Sequence, residues 1–226
     1  MGETIELTAS DGHKLSAYTA APAGTPKGGV VVIQEIFGVN IHIREVADGY
    51  AEAGYLAIAP AMFDRAKRDV ELGYEGDDIG IGRDIAFPLG WVKPVLDLAA
   101  AADAARAGGK VATVGYCWGG SLSFLAACKC DVDCAVGYYG GQILKILEAD
   151  PTAAPKAPVM MHFGDQDAGI ALTDVDQVKA EFPDIPVHIY SAGHGFNCNH
   201  RGSYDEVSAK SALERTLAFF DQHLAN

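Results

Sequence analysis

The segment Gly115-Tyr116-Cys117-Trp118-Gly119-Gly120 sets a cysteine among glycines at the point where an apolar run meets a helix-like stretch. The run Val111–Val114 precedes it, and residues 121–127 follow with helical character. Glycines let the backbone turn sharply, so this turn is expected to present the Cys117 side chain at the start of a helix. A helix N-terminus favours negative charge and therefore stabilises a thiolate. The segment indicates a nucleophilic cysteine; an ordinary tight turn with a buried cysteine is the alternative.

A nucleophilic cysteine requires a base, and the base requires a group that holds it in place. His194 follows the apolar run Val187–Tyr190 and is expected to take the thiol proton and later to activate water. Asp165 and Asp167 follow the run Val159–Phe163, so both acids are candidates to orient the imidazole. Position along the chain does not separate them, because they share one loop.

The other six histidines have weaker cases as the base. His200 is close in sequence to His194 and is the one rival. His162 and His188 lie in predicted strands, and His162 is expected to be a hydrogen-bonded core residue. The histidines expected at the surface are His13, His42 and His223.

An acyl-transfer site also needs donors for the oxyanion of the tetrahedral intermediate. One backbone N–H is expected from Trp118, directly after the nucleophile, and another from Ile36 or Phe37 in the loop after the third predicted strand. Glu35 in that loop is unexpected, since a carboxylate facing Cys117 opposes formation of the thiolate. We expect Glu35 to hold the thiol protonated until substrate arrives; a solvated loop carboxylate is the alternative.

The composition limits the classes of partner. The chain has 226 residues, of which 49% are hydrophobic, and a formal net charge of −13. Such an acidic chain repels phosphate backbones and anionic lipid, so nucleic acid and membranes are not expected partners. No apolar run reaches about 18 residues, and the acidic N-terminus does not resemble a signal peptide. A cytoplasmic protein that acts on a small molecule, as a monomer or small homo-oligomer and without a cofactor, is expected.

The five cysteines are expected to be thiols, because their number is odd and no export signal is recognised. Cys128, Cys130 and Cys134 are close enough to raise the question of a metal. Zinc sites usually pair two such cysteines with a second pair or with histidines, and no such partner is obvious. These three are predicted to be packing residues, and no metal is expected.

The rest of the chain alternates strand and helix patterns, which predicts an α/β protein. After an antiparallel hairpin around Asp11-Gly12, the strands should form a mostly parallel sheet with helices on both faces. The predicted strands are 3–8, 13–20, 30–33, 55–59, 110–114, 134–138, 158–163 and 187–190, and the predicted helices are 43–54, 92–106, 121–130, 173–182 and 204–224. Residues 62–88 are irregular and are expected to form a lid or rim. A single domain, 1–226, is expected. A cysteine turn between strand and helix at the carboxyl edge of such a sheet is typical of the α/β-hydrolase fold.

Four ordered motifs resemble the dienelactone hydrolase family, and the similarity runs from Asp11-Gly12 to Leu217. The motifs are Gln34-Glu35-Ile36-Phe37-Gly38-Val39-Asn40, Gly115-Tyr116-Cys117-Trp118-Gly119-Gly120, Ala135-Val136-Gly137-Tyr138-Tyr139-Gly140 and Ala192-Gly193-His194-Gly195-Phe196. The resemblance implies a compact α/β-hydrolase with a Cys117–His194–Asp167 triad. It also implies that Glu35 contacts the resting thiol and moves when substrate binds.

The chain departs from the family pattern where the family uses two arginines to bind a substrate carboxylate. One of these arginines lies four residues after the catalytic histidine, and that position is Cys198 here. Arg201 is a nearby substitute, and Arg83 is the candidate for the second. The substrate-binding candidates are therefore Phe37, Arg83 and Arg201, and a neutral ester or lactone is expected to suit the site better than an anionic one.

The predicted function is cysteine-dependent hydrolysis of carboxylic esters or lactones through a thioester acyl-enzyme. Aryl and enol esters suit a cysteine, because their leaving groups need little protonation. Turnover of phosphotriesters is a further expectation. Two alternatives remain: a non-catalytic protein in which Cys117 is a redox-sensing thiol, and a metal-dependent hydrolase that uses the cysteine cluster.

Overall fold

The computed structural model describes residues 2–225, and its central element is a sheet of eight strands. The strands are β1 (Glu3–Thr8), β2 (Lys14–Ala20), β3 (Gly29–Ile33), β4 (Leu56–Pro60), β5 (Val111–Tyr116), β6 (Cys134–Tyr138), β7 (Val159–Gly164) and β8 (Val187–Tyr190). Their order across the sheet is β1-β2-β4-β3-β5-β6-β7-β8. Strands β1 and β2 pair antiparallel, as do β2 and β4, and the remaining pairs are parallel. The predicted α/β-hydrolase fold, with its antiparallel N-terminal hairpin, is confirmed.

Helices cover both faces of this sheet. They are α1 (Ile41–Glu52), α2 (Asp78–Ala86), α3 (Val92–Ala105), α4 (Trp118–Lys129), α5 (Ile143–Ala149), α6 (Leu172–Glu181) and α7 (Glu206–Leu224), with 3-10 turns at Met62–Arg65, Phe87–Leu89 and Arg106–Gly108. Helices α1 and α7 lie on one face, where the rings of Tyr50 and Phe220 are 5.9 Å apart, and α3 and α4 cover the other. Among residues 2–225, no helix by itself combines the length and the apolar composition that a membrane span requires. The segments Asp78–Leu89 and Val92–Gly108 reach that length and composition only as a bent pair.

Helix α5 was not predicted from the sequence. It has only seven residues and lies in a segment with proline and glycine at its ends. Its buried residues Ile143 and Ile146 are three positions apart, a spacing typical of one face of a helix. The helix continues the layer formed by α4 and α6.

The turn between β5 and α4 depends on close backbone packing at two glycines. A Cβ atom at Gly115 would lie 1.8 Å from the carbonyl oxygen of Gly119. A Cβ atom at Gly119 would lie 2.4 Å from the carbonyl oxygens of Ile33 and Gln34, at the end of β3. Both glycines therefore allow the first turn of α4 to lie directly against the strand ends.

Replacing Gly115 by alanine is expected to lower the free energy of unfolding by about 1–3 kcal/mol or more. The added methyl group overlaps the carbonyl oxygen of Gly119, which moves only if α4 shifts. Gly80→Ala is the matched control. A Cβ at Gly80, inside α2, meets nothing within 4 Å. Because alanine is more favourable than glycine in a helix by up to about 1 kcal/mol, this variant should be at least as stable as wild type. Urea denaturation measures both. A Gly115→Ala protein as stable as wild type would contradict the packing described here.

Candidate active site

Loops at the carboxyl ends of strands β3, β5, β7 and β8 carry Glu35, Cys117, Asp167 and His194, respectively. Carboxyl ends of parallel strands meet at one edge of the sheet, which is the usual location of sites on such folds. Cys117, Asp167 and His194 line one cavity of about 510 Å³. Glu35 lies behind the cavity and does not line it. The structure thus brings the predicted residues to one place.

Cys117 has a backbone conformation that is rare for a residue with a side chain. Its φ is +56° and its ψ is −117°, at the N-cap of α4. A positive φ costs a non-glycine residue about 1–3 kcal/mol. Two contacts hold it there: the Cys117 N–H donates to the Tyr138 carbonyl at 3.0 Å, and the Cys117 carbonyl accepts from the Gly120 N–H at 3.0 Å. The strained residue is therefore the cysteine itself and not one of the neighbouring glycines, for which the sequence predicts the sharp turn.

His194 is held by a short hydrogen bond to an aspartate. Its Nδ1 lies 2.6 Å from Oδ2 of Asp167, whose side chain is only 1% exposed. The other carboxylate oxygen of Asp167 accepts the Gly169 N–H at 2.8 Å. Asp165 is exposed and makes no such contact. Of the two acids that the sequence left open, Asp167 is the one that meets the imidazole.

The charge state of His194 is coupled to that of Cys117. Burial lowers the pKa of His194, but the negative charge of the Cys117 thiolate and the hydrogen bond to Asp167 outweigh burial and raise that pKa to about 10. A negative charge on Cys117 therefore favours the imidazolium form of His194.

Two backbone N–H groups are available near the cysteine. Trp118 and Ile36 both line the cavity. Trp118 is the first residue of α4, where N–H groups have no partner within the helix. Neither N–H donates to a backbone carbonyl within residues 2–225. These are the two groups that the sequence predicts as oxyanion donors, and Phe37, the other candidate, also borders the cavity.

Glu35 is a buried, paired carboxylate and not a solvated loop residue. Its Oε1 accepts a hydrogen bond from Nη1 of Arg201 at 3.0 Å. Burial raises the pKa of Glu35, and the charges of Arg201 and His194 oppose that increase. The guanidinium carbon of Arg201 also lies 5.7 Å from the ring centroids of both Phe37 and Tyr74, which is cation–π distance.

A model of the dienelactone hydrolase family matches residues 15–224. The chain belongs to the dienelactone hydrolase family. It is similar to carboxymethylenebutenolidase of Pseudomonas putida, with 36% identity over 96% of this chain and 95% of the relative. It is also similar to carboxymethylenebutenolidase 1 of Cupriavidus pinatubonensis, with 30% identity over 96% and 95%. The protein is therefore a hydrolase that acts on esters or lactones.

Solved structures agree with this fold. A Klebsiella pneumoniae protein provisionally named a dienelactone hydrolase superposes with a TM-score of 0.80 and 31% identity, over 97% of this chain and 99% of that one. A dienelactone hydrolase-like promiscuous phosphotriesterase from metagenomic libraries superposes with a TM-score of 0.77 over 98% of both chains. Its identity to this chain is 22%, so it supports the fold alone.

The structure places the candidate cations of the substrate site and the cysteine that precedes them. Cys198, four residues after His194, is fully buried. Arg201, three residues later, takes the contact with Glu35 and lines the cavity. Arg83, in α2, lines the cavity from the opposite rim and is exposed. Residues 62–88 therefore do contribute to the rim of the site.

The remaining histidines lie outside the cavity. His200 binds Glu45 through a 2.6 Å contact and does not line the cavity, so it is not a rival base in this structure. His162 is buried and hydrogen-bonded on both ring nitrogens, as predicted. The surface position predicted for His42 is wrong: this residue lies in α1 and is buried.

Two sets of residues at the site were not predicted from the sequence. Tyr139, directly after β6, is fully buried with its ring 5.0 Å from that of His194, and it has a φ of +39°. Ile79 and Phe87 are exposed apolar residues of the rim that line the cavity. Tyr139 follows a strand end at the active edge, which is the signal that could have identified it.

The cysteine cluster is consistent with packing. Cys128 and Cys134 are buried, Cys130 is half-buried, and burial raises the pKa of each thiol, to about 12, 12 and 11, respectively. In the part of the chain that the structure describes, no cluster of potential metal ligands includes any of them. Nothing in the geometry favours the alternative of a hydrolase that uses this cluster to bind a metal.

The imidazolium of His194 should persist to about pH 10 in wild type, and Cys117→Ser should lower that pKa because it removes the thiolate charge. NMR titration of labelled histidine, with His194→Gln for assignment, measures this. Because the folded-state pKa exceeds the reference value of 6.5, the group stabilises the fold fully below pH 6.5 and loses that contribution as the pH rises towards 10. His162, with a pKa held low by burial, is the internal control that stays neutral. A wild-type His194 that titrates near 6.5 would contradict the pairing.

Arg201→Gln should destabilise the protein by about 3–5 kcal/mol, because it leaves Glu35 buried without a counter-charge. Uptake of a proton by Glu35 should reduce the loss at low pH. The double change Glu35→Gln/Arg201→Gln should recover most of it in urea denaturation. Lys14→Gln, which removes an exposed pair with Glu6, should cost at most about 1 kcal/mol. Equal losses of stability in Arg201→Gln and in Glu35→Gln/Arg201→Gln would contradict a stabilising interaction between Glu35 and Arg201.

Proposed function

We propose that this protein hydrolyses aryl and enol esters and lactones, with Cys117 as nucleophile, His194 as base and Asp167 as the residue that orients the base. One observation carries the proposal. A strained cysteine at a helix N-terminus shares a cavity with an imidazole whose far nitrogen is bound to a buried aspartate at 2.6 Å. Nucleophile, base and orienting acid in this arrangement are the parts of an acyl-transfer site.

In the acylation step, the Cys117 thiolate attacks the ester carbonyl carbon and forms a C–S bond, while the carbonyl electrons move to oxygen. The N–H groups of Trp118 and Ile36 stabilise this oxyanion. The intermediate then expels the alcohol oxygen, which takes its proton from the His194 imidazolium. The products are a thioester on Cys117 and a free phenol, enol or alcohol.

In the deacylation step, neutral His194 takes a proton from water, and the resulting hydroxide adds to the thioester carbonyl. Collapse of this second intermediate breaks the C–S bond and releases the carboxylic acid and the thiolate. Asp167 stabilises the imidazolium that forms in this step, because its carboxylate lies on Nδ1.

Glu35 is proposed to modulate the thiol. Its carboxylate is buried behind the cavity and is partly neutralised by Arg201 at 3.0 Å. The charge of His194 also lowers the pKa of Glu35 against the effect of burial, so the two groups interact. A substrate that drew Arg201 away would leave Glu35 a stronger negative charge, which would further stabilise the His194 imidazolium that faces the thiolate.

The lining of the cavity supports aromatic or other apolar substrates. Its apolar side chains surround the cysteine, and Phe37 is proposed to contact the substrate. Arg83 has no ion-pair partner within residues 2–225, whereas Arg201 is matched by Glu35. The cavity therefore offers one uncompensated cation at its rim, and Arg83 is the proposed contact for a substrate carboxylate where one is present.

A side activity on aryl phosphotriesters is also proposed. The thiolate would form a P–S bond, the aryloxide would leave, and water would then break the P–S bond. The oxyanion donors suit a phosphoryl oxygen as well as a carbonyl oxygen. The structural neighbour named as a promiscuous phosphotriesterase has the same fold.

Replacing Cys117 by alanine should reduce the hydrolysis of a neutral aryl ester, a dienelactone and an aryl phosphotriester by about 10⁴-fold or more, because all three share one nucleophile. Asp167→Asn should reduce the rate by about 10²–10⁴-fold. Cys130→Ala, which removes a half-buried sulfur outside the cavity, should keep the wild-type rates. The measurement is release of the leaving group by purified protein.

The control outcomes separate the alternatives. Activity that survives in Cys117→Ala would exclude the proposed nucleophile. A wild-type protein that hydrolyses no ester, yet loses a free thiol at Cys117 on mild oxidation, would favour the redox-sensing function instead.

A further inference from the structure

Behind the cavity, three residues of different chemistry converge in the interior. Glu35, His42 and Cys198 are 1%, 2% and 0% exposed, respectively. One ligand-type atom from each lies within 4.8 Å of those of the other two. The three come from the loop after β3, from α1 and from the segment after His194, so the fold and not local sequence brings them together.

Several polar atoms of this cluster lack hydrogen bonds. Oε2 of Glu35 and both ring nitrogens of His42 are buried and have no hydrogen-bond partner among residues 2–225. Arg201 contacts only the other carboxylate oxygen of Glu35. Buried polar side-chain atoms are nearly always paired, so unpaired atoms on two adjacent side chains call for an explanation.

We propose that Glu35, His42 and Cys198 form a zinc-binding site, with Oε2, an imidazole nitrogen and Sγ as its ligands. Thiolate, imidazole and carboxylate are the three side-chain ligands that Zn²⁺ uses in proteins. Hard cations such as Mg²⁺ and Ca²⁺ prefer oxygen ligands alone, so the sulfur and nitrogen donors disfavour them.

The distances suit a zinc ion after a small contraction. Tetrahedral bonds of about 2.0–2.3 Å separate neighbouring donor atoms by roughly 3.3–3.8 Å. Atoms within 4.8 Å of one another reach that spacing when each moves inward by less than about 1 Å. Three protein ligands leave a fourth position for water.

The surroundings of the cluster also fit. A ligating histidine usually donates its other ring N–H to a carboxylate or carbonyl, which fixes the tautomer. Glu45, which binds His200, also has a carboxylate oxygen within 4.8 Å of a His42 ring nitrogen and could take this contact after a small movement. The Glu35 carboxylate and the Cys198 thiolate supply two negative charges for Zn²⁺, and Cys198 releases its thiol proton when the metal binds. Arg201 keeps its contact with Oε1 of Glu35.

This site is distinct from the catalytic pair. Cys117 and His194 also offer a sulfur and a nitrogen ligand. Zinc added to the wild-type protein could therefore bind at the catalytic pair as well as at the proposed site. Cys117→Ser removes the first place and leaves the proposed ligands intact. The test therefore uses the full-length Cys117→Ser protein, loaded with Co²⁺ as a spectroscopic substitute for Zn²⁺.

Co²⁺ titration of Cys117→Ser should give a thiolate-to-cobalt charge-transfer band and the visible absorption of tetrahedral cobalt, saturating at one Co²⁺ per chain. One equivalent of Zn²⁺ should displace it. Adding Cys198→Ser should remove the charge-transfer band, and adding His42→Gln should weaken Co²⁺ binding at least tenfold. Cys134→Ser, which alters an equally buried cysteine elsewhere, should leave the band unchanged.

A second readout guards against misfolding of the variants. Zn²⁺ should raise the melting temperature of Cys117→Ser, because a ligand that binds only the folded state stabilises it, and should not raise that of Cys117→Ser/Cys198→Ser. Absence of a thiolate–cobalt band in Cys117→Ser, or persistence of the band after Cys198→Ser, would overturn the proposal.

Discussion

The reactive geometry of this protein depends on how closely helix α4 lies against the sheet. A single residue separates β5 from the helix, and glycines at 115 and 119 allow its first turn to touch the ends of β3 and β5. The connecting residue, Cys117, must then adopt a φ of +56°. The sheet itself supplies the restraint, through the carbonyl of Tyr138 on the neighbouring strand. Strain in one residue is thus offset by packing and hydrogen bonds across the fold.

The same edge of the sheet concentrates opposite charges. Cys117, Asp167 and Glu35 are acidic groups, and His194 and Arg201 are basic groups that lie among them. Pairing makes burial tolerable, because each charge has a partner within hydrogen-bond or short Coulombic range. It also couples the groups: a change in Arg201 acts on Glu35, which interacts with His194, which interacts with the thiolate. A binding event at Arg201 therefore has an electrostatic route to the sulfur.

Much of this arrangement could be predicted from the sequence, and the reasons for the failures are physical. Strand and helix periodicity predicts the α/β fold, and the order of Cys117, Asp167 and His194 follows strand ends, so local pattern predicts their common edge. The choice between Asp165 and Asp167 depends on side-chain direction within one loop, which periodicity does not encode. His42 looks like a surface residue at the start of a helix, but the segment around Cys198 packs over it. In α7, the apolar residue Leu213 is 42% exposed, because the buried face of the helix lies towards Ala212, Thr216 and Phe219.

The central claim is that the sulfur of Cys117 carries the acyl group during turnover. Rapid quenching of the protein with a slowly deacylated aryl ester, followed by peptide mass mapping, tests it most directly. The account predicts an acyl mass on the peptide that contains Cys117, and neutral hydroxylamine should remove it, as expected for a thioester. Turnover with the acyl group on another residue, or with no covalent intermediate at all, would contradict the account.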